Sequence, residues 1–255
     1  MSAAAPGSRG EVGLFVTCLV DLMRPSVAFS ALHLIEAAGY TAIVPESQTC
    51  CGQPGYNSGD TGSARRLARK LIAEFERFPH VVAPSGSCAG TVRTHYPDLF
   101  ADEPEWRARA EALAAKTFEL TQFLVDVAGV DCVPGDFTGP VTYHDCCSGL
   151  RELGVKRQPR ALIERMPGTS LIEMPDCEEC CGFGGLFSVK YPDISGAIVQ
   201  RKCDSIRGSG AGAVVLGDLG CMMNIEGRLR RTGDDTTQVI HIAELLAGSP
   251  DEAAG

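Results

Sequence analysis

The sequence predicts an α/β protein: two pseudo-symmetric cysteine-rich repeats on short parallel sheets, with the key cysteines just past the carboxyl ends of strands. Three observations predict it. Cys50-Cys51-Gly52 recurs as Cys180-Cys181-Gly182. Two more cysteines flank each triplet at matching distances: Cys147 follows Cys18 by 129 positions, Cys180 and Cys181 follow Cys50 and Cys51 by 130, and Cys221 follows Cys88 by 133. So steady an offset over four positions marks an internal duplication. Finally, apolar runs of strand length alternate with stretches of helical spacing, the pattern of parallel α/β units.

The elements follow in order. Residues 11–17 read as a short buried strand ending at Cys18. Residues 26–38 place Val27, Leu32, Leu34 and Ile35 at helical spacing, and Gly39 is a natural stop. Residues 41–44 read as a second strand, and residues 45–55 as the loop with the first Cys-Cys-Gly. Residues 60–78 form a helix with a basic outer face. A strand at 81–83 leads to Cys88, and 103–127 reads as one long or broken helix. The second half repeats this order: strand 141–143 then Cys147, helix 158–165, strand 170–173 then Cys180-Cys181-Gly182, helix 192–207, and strand 213–216 then Cys221. Both halves close with a helix ended by glycine, at Gly129 and Gly248. The domains are expected at 11–130 and 139–247, with loose tails at 1–10 and 249–255. The carboxyl edge of an open α/β sheet is where ligands sit.

Composition narrows the function. The chain has 255 residues and 12 cysteines. Its opening stretch lacks a secretory apolar core and no run is long enough to span a membrane, so a cytoplasmic location is expected. Thiols stay reduced there, and clustered cysteines point to metal or redox chemistry in place of disulfides. A net charge of −9 argues against a nucleic-acid partner. Gly208-Ser-Gly-Ala-Gly212 precedes a strand, whereas a dinucleotide loop follows one.

The candidate ligands are Cys18, Cys50, Cys51 and Cys88, then Cys147, Cys180, Cys181 and Cys221. The long gaps mean that tertiary structure must assemble each set. Soft thiolate clusters select zinc or iron–sulfur centres. Adjacent cysteines diverge and suit different metal atoms of a cluster, while a structural zinc usually takes a pair with two to four residues between. Gly52 and Gly182 let the backbone approach an inorganic core at φ > 0. His144 and Asp145 read as a supporting pair, the carboxylate fixing the imidazole that faces a thiolate, or as a plain helix cap. Cys132 and Cys203 read as packing residues, Cys146 and Cys177 as neighbours of the site. Arg24, Arg151 and Lys190 read as solvated surface.

Six stretches carry a family resemblance: Cys18-Leu-Val-Asp-Leu-Met-Arg-Pro25, Gln48-Thr-Cys-Cys-Gly-Gln-Pro54, Pro84-Ser-Gly-Ser-Cys-Ala-Gly90, Tyr143-His-Asp145, Glu179-Cys-Cys-Gly-Phe-Gly-Gly185 and Gly217-Asp-Leu-Gly-Cys-Met-Met-Asn224. Over residues 12–247 the chain resembles the lactate utilisation protein A family, with two CCG-type cysteine-rich domains. More distantly it is similar to the cysteine-rich subunits of heterodisulfide reductases and the iron–sulfur subunit of glycolate oxidase. The resemblance implies an iron–sulfur subunit that works with sister subunits, a ferredoxin-like iron–sulfur protein among them, in oxidising L-lactate to pyruvate. It implies the eight cysteines above as cluster ligands, [4Fe–4S] being the expected type and zinc an alternative in one half. On this reading the chain is a subunit of an L-lactate dehydrogenase-type oxidoreductase complex and does not itself bind NAD. A cluster-dependent thiol/disulfide reductase subunit and a zinc-stabilised scaffold are the alternatives. The heterodisulfide reductase pattern ends in Cys-x-x-Cys, but Thr91 and Asn224 stand at the last position here. The family's His-Asp-Ser-Cys-His is His144-Asp145-Cys146-Cys147-Ser148 in this chain.

Overall fold

A computed structural model describes residues 7–248. Of the tails expected at 1–10 and 249–255, residues 1–6 and 249–255 lie outside the described residues. Residues 8–10 are tied down, contrary to the expected loose tail. The Arg9 amide donates to the Gly39 carbonyl at 2.8 Å, and its guanidinium donates to the Ala128 carbonyl at 2.7 Å and lies over the Tyr40 ring.

Two four-stranded sheets form, each wholly parallel. The first orders its strands β2-β1-β3-β4, from β1 (Glu11–Leu14), β2 (Thr41–Ile43), β3 (His80–Ala83) and β4 (Thr117–Glu119). The second orders them β6-β5-β7-β8, from β5 (Gly139–His144), β6 (Thr169–Leu171), β7 (Ala213–Leu216) and β8 (Gln238–His241). The central strands are apolar and covered on both faces, as parallel sheets require; all four residues of β7 are buried.

The sequence reading found three strands per half and missed β4 and β8. The stretch read as one long or broken helix over 103–127 is a helix at Pro104–Ala114, then β4, then helical turns over Leu120–Gln122 and Phe123–Val127. Three residues are too few to show a period of two between helical neighbours, and tertiary pairing with β3 decides the matter. The first strand also stops early, because Thr17 caps a helix that begins at Cys18 itself.

The halves clasp one another reciprocally. The closing helix Ile242–Ala247 of the second half packs on Ser26–Ala37 of the first. The closing turns of the first half pack on Arg157–Glu164 of the second. Each clasp carries a polar lock. Glu244 accepts from Arg24 at 2.8 Å and Ser26 at 2.7 Å, and Asp126 accepts from Arg157 at 2.8 Å and Gln158 at 2.7 Å. One apolar core runs through both halves, with Ile242, Leu245 and Leu246 beside Ala31, Leu34 and Ile35. Each such leucine or isoleucine contributes about 1.5–3 kcal/mol on burial, so the halves stabilise each other.

Candidate metal centres

Each half aims three strand ends at one point. Cys18 and Cys147 open the helices Cys18–Met23 and Cys147–Leu153, which follow β1 and β5. The pairs Cys50-Cys51 and Cys180-Cys181 lie in the loops after β2 and β6. Cys88 and Cys221 are each the third residue of a helix, Gly86–Gly90 after β3 and Leu219–Arg231 after β7. Helix starts expose unpaired N–H groups, which favour a thiolate. All twelve thiols are free. In both halves the opener and the first of the pair are partly exposed, while the second of the pair and the closer are buried.

The first four thiols form a row. The Cys51 and Cys88 sulfurs lie 3.5 Å apart, and Cys18 and Cys51 lie close enough to Cys50 to hold its thiol down. The second row runs the same way, through Cys147, Cys180, Cys181 and Cys221. Donation from Cys18 and then Cys51 takes the Cys50 thiol down to about 2, and Cys147 with Cys181 does the same to Cys180, also to about 2. The donors move up: Cys18 through its bond to Cys50, Cys51 through Cys50 and Cys88, Cys147 through Cys180, and Cys221 through Cys146 and Cys181. Such a row stays mostly protonated until a cation takes the protons' place.

Symmetric backbone contacts hold the pairs. Gly52 (φ +84°) and Gly182 (φ +82°) donate their N–H to the Cys50 and Cys180 sulfurs, at 3.4 and 3.3 Å. The Tyr96 hydroxyl donates to the Cys51 carbonyl at 2.7 Å, and the Asn224 amide to the Cys181 carbonyl at 2.8 Å. Asn224 stands where a Cys-x-x-Cys would have its last thiol. Thr91, its counterpart, turns its hydroxyl to the Ser87 carbonyl at 2.8 Å.

The two rows adjoin. Ser85 caps the Cys88 helix and Asp218 the Cys221 helix, and the two caps are bonded to each other. Asp218 accepts from the Ser85 hydroxyl at 3.1 Å, the Ser87 amide at 3.0 Å and the Gly220 amide at 3.1 Å. Gly86 and Gly149 let the Cys88 and Cys147 helices touch; a Cβ on Gly86 would lie 3.0 Å from the Gly149 Cα. The first row lines a cavity of about 170 Å³ that Phe183, Leu186 and Leu219 of the second half help close.

That cavity tests what the residues suit. A lone tetrahedral zinc, at about 2.3 Å from each sulfur, needs all four sulfurs within roughly 4 Å of one another. Among the described residues, His144, Cys181 and Cys221 alone put three candidate donor atoms within 4.8 Å of one another. The first row is more open than a single ion needs, and its cavity has the volume of roughly five waters. Soft donors, room and mobile protons fit a centre of several metal atoms in the first half.

The structure places the supporting residues differently from expectation. His144 is fully buried, and among the described residues neither ring nitrogen has a hydrogen-bond partner. Burial, with Lys202 nearby, pushes it down to about 3, so the imidazole is neutral. Asp145 does not orient it. Arg160 holds that carboxylate through two bonds of 2.8 Å, since a guanidinium matches both oxygens and an imidazole only one. The Asp145 amide donates to the Cys177 carbonyl at 3.0 Å and so braces the loop to Cys180. Cys146, read as a neighbour, is buried in the same cluster as Cys181 and Cys221 and donates its thiol to the His144 carbonyl at 3.9 Å. Cys177 stays beside Asp145, Cys203 is buried against the Ile225 carbonyl, and Cys132 is exposed. Arg24, read as solvated, pairs with Glu244.

Comparison with known proteins agrees with this architecture. The CCG cysteine-rich domain family matches residues 12–93 and 141–226, one match per half. Lactate utilization protein A of Exiguobacterium sp. is 47% identical over 92% of this chain and 96% of its own. The proteins of that name from Oceanobacillus iheyensis and Geobacillus kaustophilus are 44% and 45% identical over 92% of this chain, and 96% and 98% of their own lengths. A solved structure, a hypothetical protein from Helicobacter pylori, shares the fold over 96% of this chain at a TM-score of 0.61 and 13% identity. This chain spans 50% of that one. With both cysteine-rich domains matched and such identity over nearly its whole length, the chain belongs to the lactate utilization protein A family.

Proposed function

We propose that this chain is an iron–sulfur redox subunit of a multi-component system that oxidises L-lactate to pyruvate. Cys18, Cys50, Cys51 and Cys88 would hold one centre, and Cys147, Cys180, Cys181 and Cys221 the other, with [4Fe–4S] the type that four thiolates suit. The observation that carries the reading is the convergence of each thiol row from three strand ends, the first against a cavity too large for one ion. The relatives' shared name supports lactate utilization as the setting.

When bound, such a centre takes and gives single electrons at a potential set by its thiolates, their hydrogen bonds and burial. The chain's own residues do the rest. Tyr96 and Asn224 fix the carbonyls of Cys51 and Cys181, and the Gly52 and Gly182 amides donate to sulfur. The partly exposed Cys18, Cys50, Cys147 and Cys180 face outward, where electrons enter or leave. Oxidation of L-lactate to pyruvate releases two electrons and two protons. Sister subunits, including a ferredoxin-like iron–sulfur protein, take part in accepting them. We assign the system to the cytoplasm, where twelve thiols stay reduced. Among the described residues, no helix is long and apolar enough to cross a membrane.

Iron, zinc and acid-labile sulfide analysis of anaerobically purified protein tests the reading. Brown protein with several irons per chain is expected, and Cys51→Ser and Cys181→Ser should each remove about half of the iron. Zinc without sulfide would overturn it. One observation favours a second reading for the second half alone: the tight His144, Cys181 and Cys221 group suits a single zinc. Under that reading Cys181→Ser releases zinc and leaves the iron unchanged.

A further inference from the structure

The second thiol row differs from the first in three buried side chains. Counted from the opening cysteine, His144 and Cys146 stand where the first half has Phe15 and Thr17. Lys202 stands where the first half has Leu71. That register follows from packing, since Gly182 faces Ser195 and Ile198 as Gly52 faces Ala64 and Leu67. None of these six residues is more than 8% exposed. Polar groups are seldom buried without partners. His144 and Lys202 each replace an apolar counterpart, and Cys146 puts a soft thiol where the first half has a hydroxyl; three such differences at one centre need a common cause.

We propose that Cys146 is a fifth sulfur ligand of the second centre, so that the two halves hold inequivalent centres, four thiolates in the first and five in the second. The inference rests on the iron–sulfur reading above. Cys146 has an extended backbone at the N-cap of the Cys147 helix, makes no capping bond with its side chain, and is buried. Its thiol, 8% exposed, donates to the His144 carbonyl at 3.9 Å in the same buried cluster as Cys181 and Cys221, and it lies close enough to push the Cys221 thiol up. Four irons are matched one to one by four thiolates, and a fifth adds negative charge in a buried place. Such charge needs a buried counter-charge. Lys202, 2% exposed, provides it: its ammonium donates to the Asp176 carbonyl and interacts with Cys177 and Cys181. His144, within 4.8 Å of the Cys181 and Cys221 sulfurs, provides a neutral N–H for one of them. The first row has no fifth thiol within its helix cap and only Leu71 in place of the lysine.

The test uses the full chain, purified anaerobically, with Cys50→Ser and Cys51→Ser removing the first centre. On that background Cys146→Thr copies the side chain that the first half carries at this place. The expected result is a changed low-temperature electron paramagnetic resonance signal and iron release to a chelator at least about tenfold faster. Cys177→Ser should change neither. A Cys146→Thr protein with unchanged signal and unchanged release overturns the fifth ligand and leaves the iron–sulfur reading standing. Wild-type protein with zinc and no sulfide overturns that reading itself. If the background chain fails to fold, the same comparison on the wild-type chain decides, because only the second centre's signal should move.

Discussion

Gly182→Ala should destabilise the protein far more than the equivalent Gly52→Ala. Gly182 has a φ of +82°, and an added Cβ would lie 2.8 Å from the Ser195 carbonyl oxygen and 3.2 Å from the Ile198 Cβ. Gly52 has a φ of +84°, but its Cβ would lie 3.3 Å from the Ala64 carbonyl oxygen. Both substitutions bear the left-handed cost of about 1–2 kcal/mol. Gly182→Ala alone adds a clash with backbone. Ser195 cannot retreat freely, because it sits in the helix Pro192–Gly208 and its hydroxyl donates to the Gly182 carbonyl at 2.8 Å. Overpacking of this kind costs about 1–3 kcal/mol more. The totals are roughly 2–5 kcal/mol for Gly182→Ala and about 1–2 kcal/mol for Gly52→Ala. At about 2–4 °C per kcal/mol for a chain of this size, the unfolding midpoint falls by roughly 10 °C in one case and about 4 °C in the other. Thermal unfolding of metal-free protein followed by circular dichroism reads the difference. Equal losses, or a larger loss for Gly52→Ala, would refute the packing argument.

Two further expectations come from the contacts between the halves. Asp218→Ala removes a helix cap and strands the Ser85 hydroxyl and the Ser87 amide, and should cost about 2–4 kcal/mol in urea unfolding; a loss no larger than that of the exposed Asp204→Ala would count against the joint. Metal-free stability should also depend on pH through two caps at equivalent places, with opposite signs. Burial pushes His241 from 6.5 down to about 4, so its contribution is complete above pH 6.5 and about 3 kcal/mol is lost as the pH falls to 4. Burial pushes Glu119 from 4.5 up to about 7, so its contribution is complete below pH 4.5 and about 3 kcal/mol is lost as the pH rises to 7. His241→Asn should flatten the acid side of a midpoint-against-pH curve and Glu119→Gln the neutral side; unchanged slopes would show that neither group titrates as its burial implies.

What could be read from the sequence was what the duplication repeats. The eight cysteines, their strand-end positions and both glycines follow from a period near 130, and the fold brings them together in two rows. The unread features depend on direction or on distant chain. Asp145 was paired with its neighbour His144, whereas its partner Arg160 lies fifteen residues on, in a helix that only the fold brings back. Phe183 reaches across to Gly220, where a Cβ would lie 2.4 Å from the ring, and no spacing rule relates those positions. The strands β4 and β8 were hidden because so short a run shows no alternation.

The repeat is silent on Cys146 for a deeper reason. A repeat shows what its copies share, so it points to Cys147 through Cys18 and says nothing of a thiol matched with Thr17. Side chains common to both halves explain why each gathers a thiol row. The differences, His144 for Phe15, Cys146 for Thr17 and Lys202 for Leu71, are all buried and cluster around one row. His144 for Phe15 and Lys202 for Leu71 put polar groups in an apolar core, which is destabilising unless something there pairs with them, and Cys146 exchanges a hydroxyl for a metal-binding thiol. A second half identical in task to the first would have no use for that cost, so the asymmetry itself argues that the two centres do different work.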